Sequence, residues 1–189
     1  MKKFLTCLAA LVVLTTVARA DDVTDTLASA LEAYEAGDIA YALEEVAYVQ
    51  QLLNEMQSGA LETFLPEAPE GWTREIDESA GMGMGAMGGT GVVATYRTET
   101  DSQAERFTIT IMMDSPMVAG MAGLFGNAAL LGSQGKLVRV GREKFLEQDD
   151  TLMGLIDGRV LIQVEGGRPE MVIPMLEAMD LRGLGRFGL

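Results

Sequence analysis

The hydrophobic period of this chain changes once, between Leu65 and Trp72. Before that point apolar residues recur at helical spacing: Val23, Leu27, Leu31 and Tyr34, then, beyond Gly37-Asp38, Ile39, Leu43, Val46, Leu53 and Met56. After it they alternate, as in Phe107, Ile109, Ile111 and Met113 set between Thr108, Thr110 and Met112. Pro66 and Pro69 separate the two regimes, since two prolines this close stop a helix and favour extended backbone. Such a chain must join a helical unit to a sheet with a buried face.

In the first region Gly37 can take the left-handed conformation that ends one helix, and Asp38 can cap the next. The product is an antiparallel helical hairpin over residues 21–65, with acidic outer faces. Its apolar stripes are expected to dock on something, either the C-terminal domain or a second chain.

In the second region, residues 66–189, Val92 to Arg97 and Phe107 to Met113 read as paired strands. Ser115-Pro116 then opens a helix that runs to about Gly132. Four short strands follow, at Leu137 to Val140, Lys144 to Gln148, Leu152 to Ile156 and Val160 to Glu165, and a helix from Pro169 to Met179 ends the chain. Asp157-Gly158 is a strong two-residue hairpin signal because both turn positions favour positive φ. The expected order is ββαββββα behind the helical hairpin: an α+β fold whose sheet is mostly antiparallel, with helices packed on it.

Residues 1–20 read as an export leader. Lys2 and Lys3 precede an apolar stretch from Phe4 to Val17, and Ala18-Arg19-Ala20 offers small residues for cleavage at about Ala20. The stretch is short for a membrane span, so no transmembrane anchor is expected after cleavage. The expected location is the periplasm of a Gram-negative bacterium, or outside the cell. Cys7, the single cysteine, leaves with the leader and lies too early in it to be a lipidated first residue.

Removing Lys2, Lys3 and Arg19 takes the formal charge from −14 to −17. That charge disfavours nucleic acid and anionic lipid, which need a basic patch to release counterions. Its distribution is uneven: residues 21–80 hold 15 acids and one base, Arg74, while residues 81–189 hold 13 acids and 10 bases. The chain has no His, so imidazole bases and ligands are absent, and the exported form has no thiol. We therefore expect no catalytic residue and no organic cofactor.

Three segments bear on function. Residues 81–89, expected to be a glycine-rich loop, carry the thioethers Met82, Met84 and Met87, which suit Cu(I) if they converge. The same loop matches a dinucleotide fingerprint at Gly83, Gly85 and Gly88, but no strand precedes it and a strand follows it. From Ser115 to Gly135 there is no charged side chain, so the helix bearing Met117, Met121, Leu124 and Phe125 is either a core helix or a surface for a protein partner or hydrophobic ligand. The acid clusters Glu44-Glu45, Glu75-Asp77-Glu78 and Asp149-Asp150 read as solvated faces.

Ala33-Tyr34, Gly37-Asp38 and Ala42-Leu43-Glu44 together resemble one unit of a tetratricopeptide repeat, a class that generally needs about three units for a continuous core. The overall arrangement resembles uncharacterised secreted proteins of Gram-negative bacteria in which an acidic helical hairpin precedes a compact domain. The passage from Leu65-Pro66 through Pro69 to Gly71-Trp72, with the element order after it, looks like a Mog1/PsbP-like α/β sandwich. That resemblance implies an accessory or assembly protein without a shared catalytic set. The expected function is non-enzymatic binding through protein–protein or hydrophobic-surface contact, with soft-metal capture by the methionine loop as the alternative.

Overall fold

The structure, a computed structural model, describes residues 17–86, 88–98 and 105–189. Two compact units divide the chain between Leu53 and Asn54. The fold is α+β, as the change of period requires.

The first unit is built from α1 (Val17–Glu35) and the first part of α2 (Ile39–Leu61). Helix α1 begins ahead of the expected cleavage point, and the rest of the leader lies outside the described residues. The turn forms as its residues dictate. Gly37 has φ 81°, the Asp38 amide donates to the Ala33 carbonyl at 2.9 Å, and the Asp38 carboxylate accepts from the Tyr41 amide at 3.2 Å.

The division between units falls inside α2, ahead of the proline-marked boundary at residue 66. The end of α2 and the 3₁₀ turn after it (Glu62–Phe64) belong with the sheet unit, because Leu61 and Leu65 are buried in its main core. Beyond them, Tyr96 Oη donates to the Pro66 carbonyl at 2.7 Å, and Arg74 Nη1 donates to the Leu65 and Pro66 carbonyls at 3.3 and 3.1 Å.

Seven strands form one antiparallel sheet: β1 (Trp72–Ile76), β2 (Thr90–Thr98), β3 (Arg106–Met113), β4 (Lys136–Val140), β5 (Glu143–Gln148), β6 (Thr151–Ile156) and β7 (Val160–Gly166), in the order β1-β2-β3-β7-β6-β5-β4. The six strands read from alternation are all present. Strand β1 is additional, as is the helix α3 (Glu78–Ala86) that follows it. The β6–β7 turn has φ 49° at Asp157 and 70° at Gly158, the left-handed pair that the sequence signals.

Period two sorts the side chains onto two faces. On one face Ala94, Tyr96, Phe107, Ile109, Ile111, Val160, Ile162, Val164 and Phe145 form the main core with Val172 and Leu176 of α6 (Pro169–Ala178) and Leu184 of α7 (Leu181–Gly185). The Phe107 ring stacks on Tyr96 with centroids 4.7 Å apart and lies 5.3 Å from Trp72. On the other face a smaller core gathers Met112, Leu161 and Leu155 of the sheet with Met84 of α3 and with Val118 and Met121 of α4 (Pro116–Phe125).

Two expectations change here. The glycine-rich segment drawn as a loop is helical through Ala86, because Asp77 caps α3 and Met84 supplies a buried anchor. A Cβ at Gly91 would fall 2.6 Å from the Met84 sulfur, so glycine at 91 is what admits that anchor. The single helix expected over 116–132 is two: α4 ends at Gly126, and Asn127 Oδ1 accepts from the Leu130 amide at 3.3 Å to start α5 (Ala128–Gln134).

Candidate contact surface

In the first unit the buried residues are Ala30, Ala33, Ala42 and Val49, and most of the large apolar residues are exposed. Along α1, Val23 and Thr26 are half-buried and Ala30 and Ala33 buried. Along α2, Ala42 and Val49 are buried and Glu45 and Leu52 half-buried. These positions step by three and four, the spacing of a coiled-coil seam, and they mirror one another about the turn: Ala33 with Ala42, Ala30 with Glu45, Thr26 with Val49.

The large apolar residues stand about one position further on. Leu27, Leu31 and Tyr34 of α1 are 49, 58 and 65% exposed; Ile39, Leu43, Val46 and Leu53 of α2 are 50, 65, 42 and 45% exposed. One residue is a rotation of about 100°. A rotation in the same sense on two antiparallel helices brings both stripes to the same broad side of the pair. Tyr41 lies on the opposite side, where Ser29 Oγ approaches its hydroxyl at 3.5 Å.

In the structure these stripes face outward from the helix pair. The physical reason is size, since alanines let two helices approach where leucines would hold them apart. The signal that could have found the seam is the alanine spacing, which the large side chains mask in any reading that weights hydrophobicity alone.

The surroundings of this surface are acidic. From Asp21 to Leu53 there are eight carboxylates and no Lys or Arg. Glu32 and Glu35 follow Leu31 and Tyr34 on the outer side of α1, and Glu44 turns away from Leu43 by one residue.

In the second unit, the residues expected to carry a contact or a metal are distributed differently. Met117 is 52% exposed, and Met121, Leu124 and Phe125 are half-buried, with Met121 packed against the second core. The buried residue of α4 is Val118, so this uncharged helix lays one side on the sheet. Met84 is buried in that same core, whereas the Met82 side chain and Met87 lie outside the described residues. In this second core the fold gathers the thioethers of Met84, Met112 and Met121, from a helix, a strand and a second helix. Ser115 Oγ, which caps α4 by accepting from the Val118 amide at 3.2 Å, also lies 3.3 Å from the Met112 sulfur.

A polar cleft of about 540 Å³ opens on the uncovered part of the sheet, lined by Glu75, Ile76, Asp77, Glu78, Thr95, Arg97 and Arg106. Its charges serve the fold. Arg97 pairs with Glu75, and Asp77 Oδ1 accepts from Ser79 Oγ at 2.5 Å and from the Ala80 amide at 3.0 Å. Those bonds, the Ser79 hydroxyl first, hold the Asp77 carboxyl below its ordinary range, which suits a helix cap. Among the described residues no group of three or more His, Cys, Asp or Glu side chains is placed to hold a metal ion, and no helix is long and apolar enough to cross a membrane.

Compared with family models, with curated proteins and with solved structures, the chain matches none.

Proposed function

We propose that the exported chain is a non-enzymatic periplasmic accessory protein that works by contact, and that the apolar side of the helical hairpin is its contact surface. One observation carries this reading. Seven large apolar residues share one exposed side of a two-helix unit whose buried seam residues are only Ala30, Ala33, Ala42 and Val49, so most of its large hydrophobic side chains lie on the outside. Their joint area is on the order of several hundred Å², the size at which an exposed apolar patch marks an interaction site. The leader read from residues 1–20 supports the location. The absence of His from the chain and of Cys from the exported form supports the non-enzymatic assignment.

A photo-crosslinking side chain at position 31 or 43 tests this in intact cells, with position 25 on the far side of α1 as the control. The expected result is a discrete adduct from 31 and 43 and none from 25. The reading fails if 31 and 43 give no adduct.

A further inference from the structure

The same surface says something about the chemistry of what it meets. We propose that the partner is a basic amphipathic helix, which lays its apolar stripe along Leu27, Leu31 and Tyr34 of α1 and Ile39, Leu43 and Val46 of α2 while its Lys or Arg residues lie over the acidic rim. This rests on the contact reading above.

Shape is the first argument. Two antiparallel helices with apolar stripes on one side make a shallow groove, and a third helix packed along it buries both stripes at once through anchors at i, i+3, i+4 and i+7.

Charge is the second argument, and it selects among occupants. A second copy of the hairpin would bring another eight carboxylates, again with no Lys or Arg from Asp21 to Leu53, against the first set. Like charges across an interface are unfavourable. An anionic lipid surface meets the same repulsion. A helix with a cationic polar side meets attraction instead, because Glu32 and Glu35 follow the α1 stripe and Asp21, Asp22, Asp25, Asp38 and Glu44 add to the same field, with no Lys or Arg between Asp21 and Leu53. Charge of this kind sets the approach rate and the choice of partner, while the leucines and tyrosine supply the contact.

Three synthetic 18-residue peptides and the chain from Asp21 to Leu189 test the proposal by fluorescence anisotropy. The first is a helix with a leucine stripe and a lysine polar side, the second has glutamate in place of every lysine, and the third scrambles the first so that no stripe forms. The first peptide is expected to bind at least about tenfold more tightly than either other at low salt, and to lose about tenfold between 50 mM and 500 mM salt. Leu31→Gln with Leu43→Gln should weaken it by a similar factor without changing the far-ultraviolet spectrum.

If the glutamate peptide binds as well as the lysine peptide, the basic partner is overturned while the contact surface stands. If the scrambled peptide binds as well, a bare electrostatic field explains the result and the helix is overturned. A stable dimer in sedimentation would replace the partner with a second copy. If no peptide binds while crosslinks still form at 31 and 43, the partner chemistry fails alone; if the crosslinks are also absent, the contact reading has failed with it.

Discussion

In the sheet unit large side chains fill the core, and in the helical hairpin large apolar side chains stand exposed. Tyr96, Phe107 and Phe145 are at 0–1% exposure, whereas Leu31, Tyr34 and Leu43 are at 58–65%. Both units follow the same rule of burying apolar surface, but they have different material to work with. A seven-stranded sheet with helices against it encloses enough volume for aromatic rings. Two helices enclose only a seam, and small residues make that seam close. The leftover hydrophobicity of the hairpin is thus a surface property, and substitutions of equal chemistry should have opposite consequences in the two units.

The largest effect is expected at Phe145, whose ring covers Gly154, its cross-strand neighbour between β5 and β6. Phe145→Ala should cost about 3–5 kcal/mol, since it removes a fully buried ring and leaves a void that the sheet cannot close. The complementary change, Gly154→Ala, would place a Cβ 2.5 Å from that ring and should cost about 1–3 kcal/mol. Denaturant melts of the chain from Asp21 to Leu189 give both values. A loss below about 1 kcal/mol at Phe145 would mean that the two units do not differ as described.

In the hairpin the sensitive residue is a small one. Ala33 is 7% exposed opposite Ala42, so Ala33→Leu must push the helices apart and should destabilise the first unit by about 1–3 kcal/mol. Amide hydrogen exchange in α1 reads the effect directly. Unchanged exchange there would show that the alanines do not form the seam.

How far the sequence foretold this differs between the units for a physical reason. Alternation in a strand has one solution, because a shift of one residue turns every side chain to the other face; six of seven strands and the Asp157-Gly158 turn were therefore legible. Strand β1 was missed because Trp72 to Ile76 alternates Trp, Arg and Ile with Thr and Glu, and Arg74 looks like a surface residue. It is held inward by its bonds to the Leu65 and Pro66 carbonyls. Helix α3 was missed because the glycines at 81, 83 and 85 lower helix propensity, and the cap at Asp77 with the Met84 anchor outweighs them. In the hairpin the apolar stripe is legible in the sequence and the seam beside it is not. A helix has a seam and two flanks, and hydrophobicity alone favours the flank with leucines over the seam with alanines.

Tyr96 gives a smaller and pH-dependent effect. Its hydroxyl donates to the Pro66 carbonyl at 2.7 Å, and burial, only partly offset by the Arg74 charge, pushes the phenol up to about 12. Because the folded value lies above the ordinary value of about 10, the contribution is fully present below pH 10 and is lost as pH rises towards 12. Tyr96→Phe should cost about 1 kcal/mol at neutral pH, with Arg74 still serving the Pro66 carbonyl. The advantage of the natural residue should shrink between pH 10 and 12. Parallel stability curves across that interval would sink the assignment.

The smallest effect on stability is expected where the sequence is most hydrophobic. Leu31 and Leu43 are well over half exposed, so Leu31→Gln and Leu43→Gln should each change the unfolding free energy by less than about 0.5 kcal/mol, a tenth of the loss at Phe145. A hydrophobic dye should nevertheless bind the folded chain and lose most of its signal in the double variant. That combination separates two roles that a leucine can have: one whose loss leaves the fold intact and removes the dye site belongs to the surface, and one whose loss melts the protein belongs to a core. If the double variant unfolds α1 instead, these leucines pack inside and the contrast between the two units disappears.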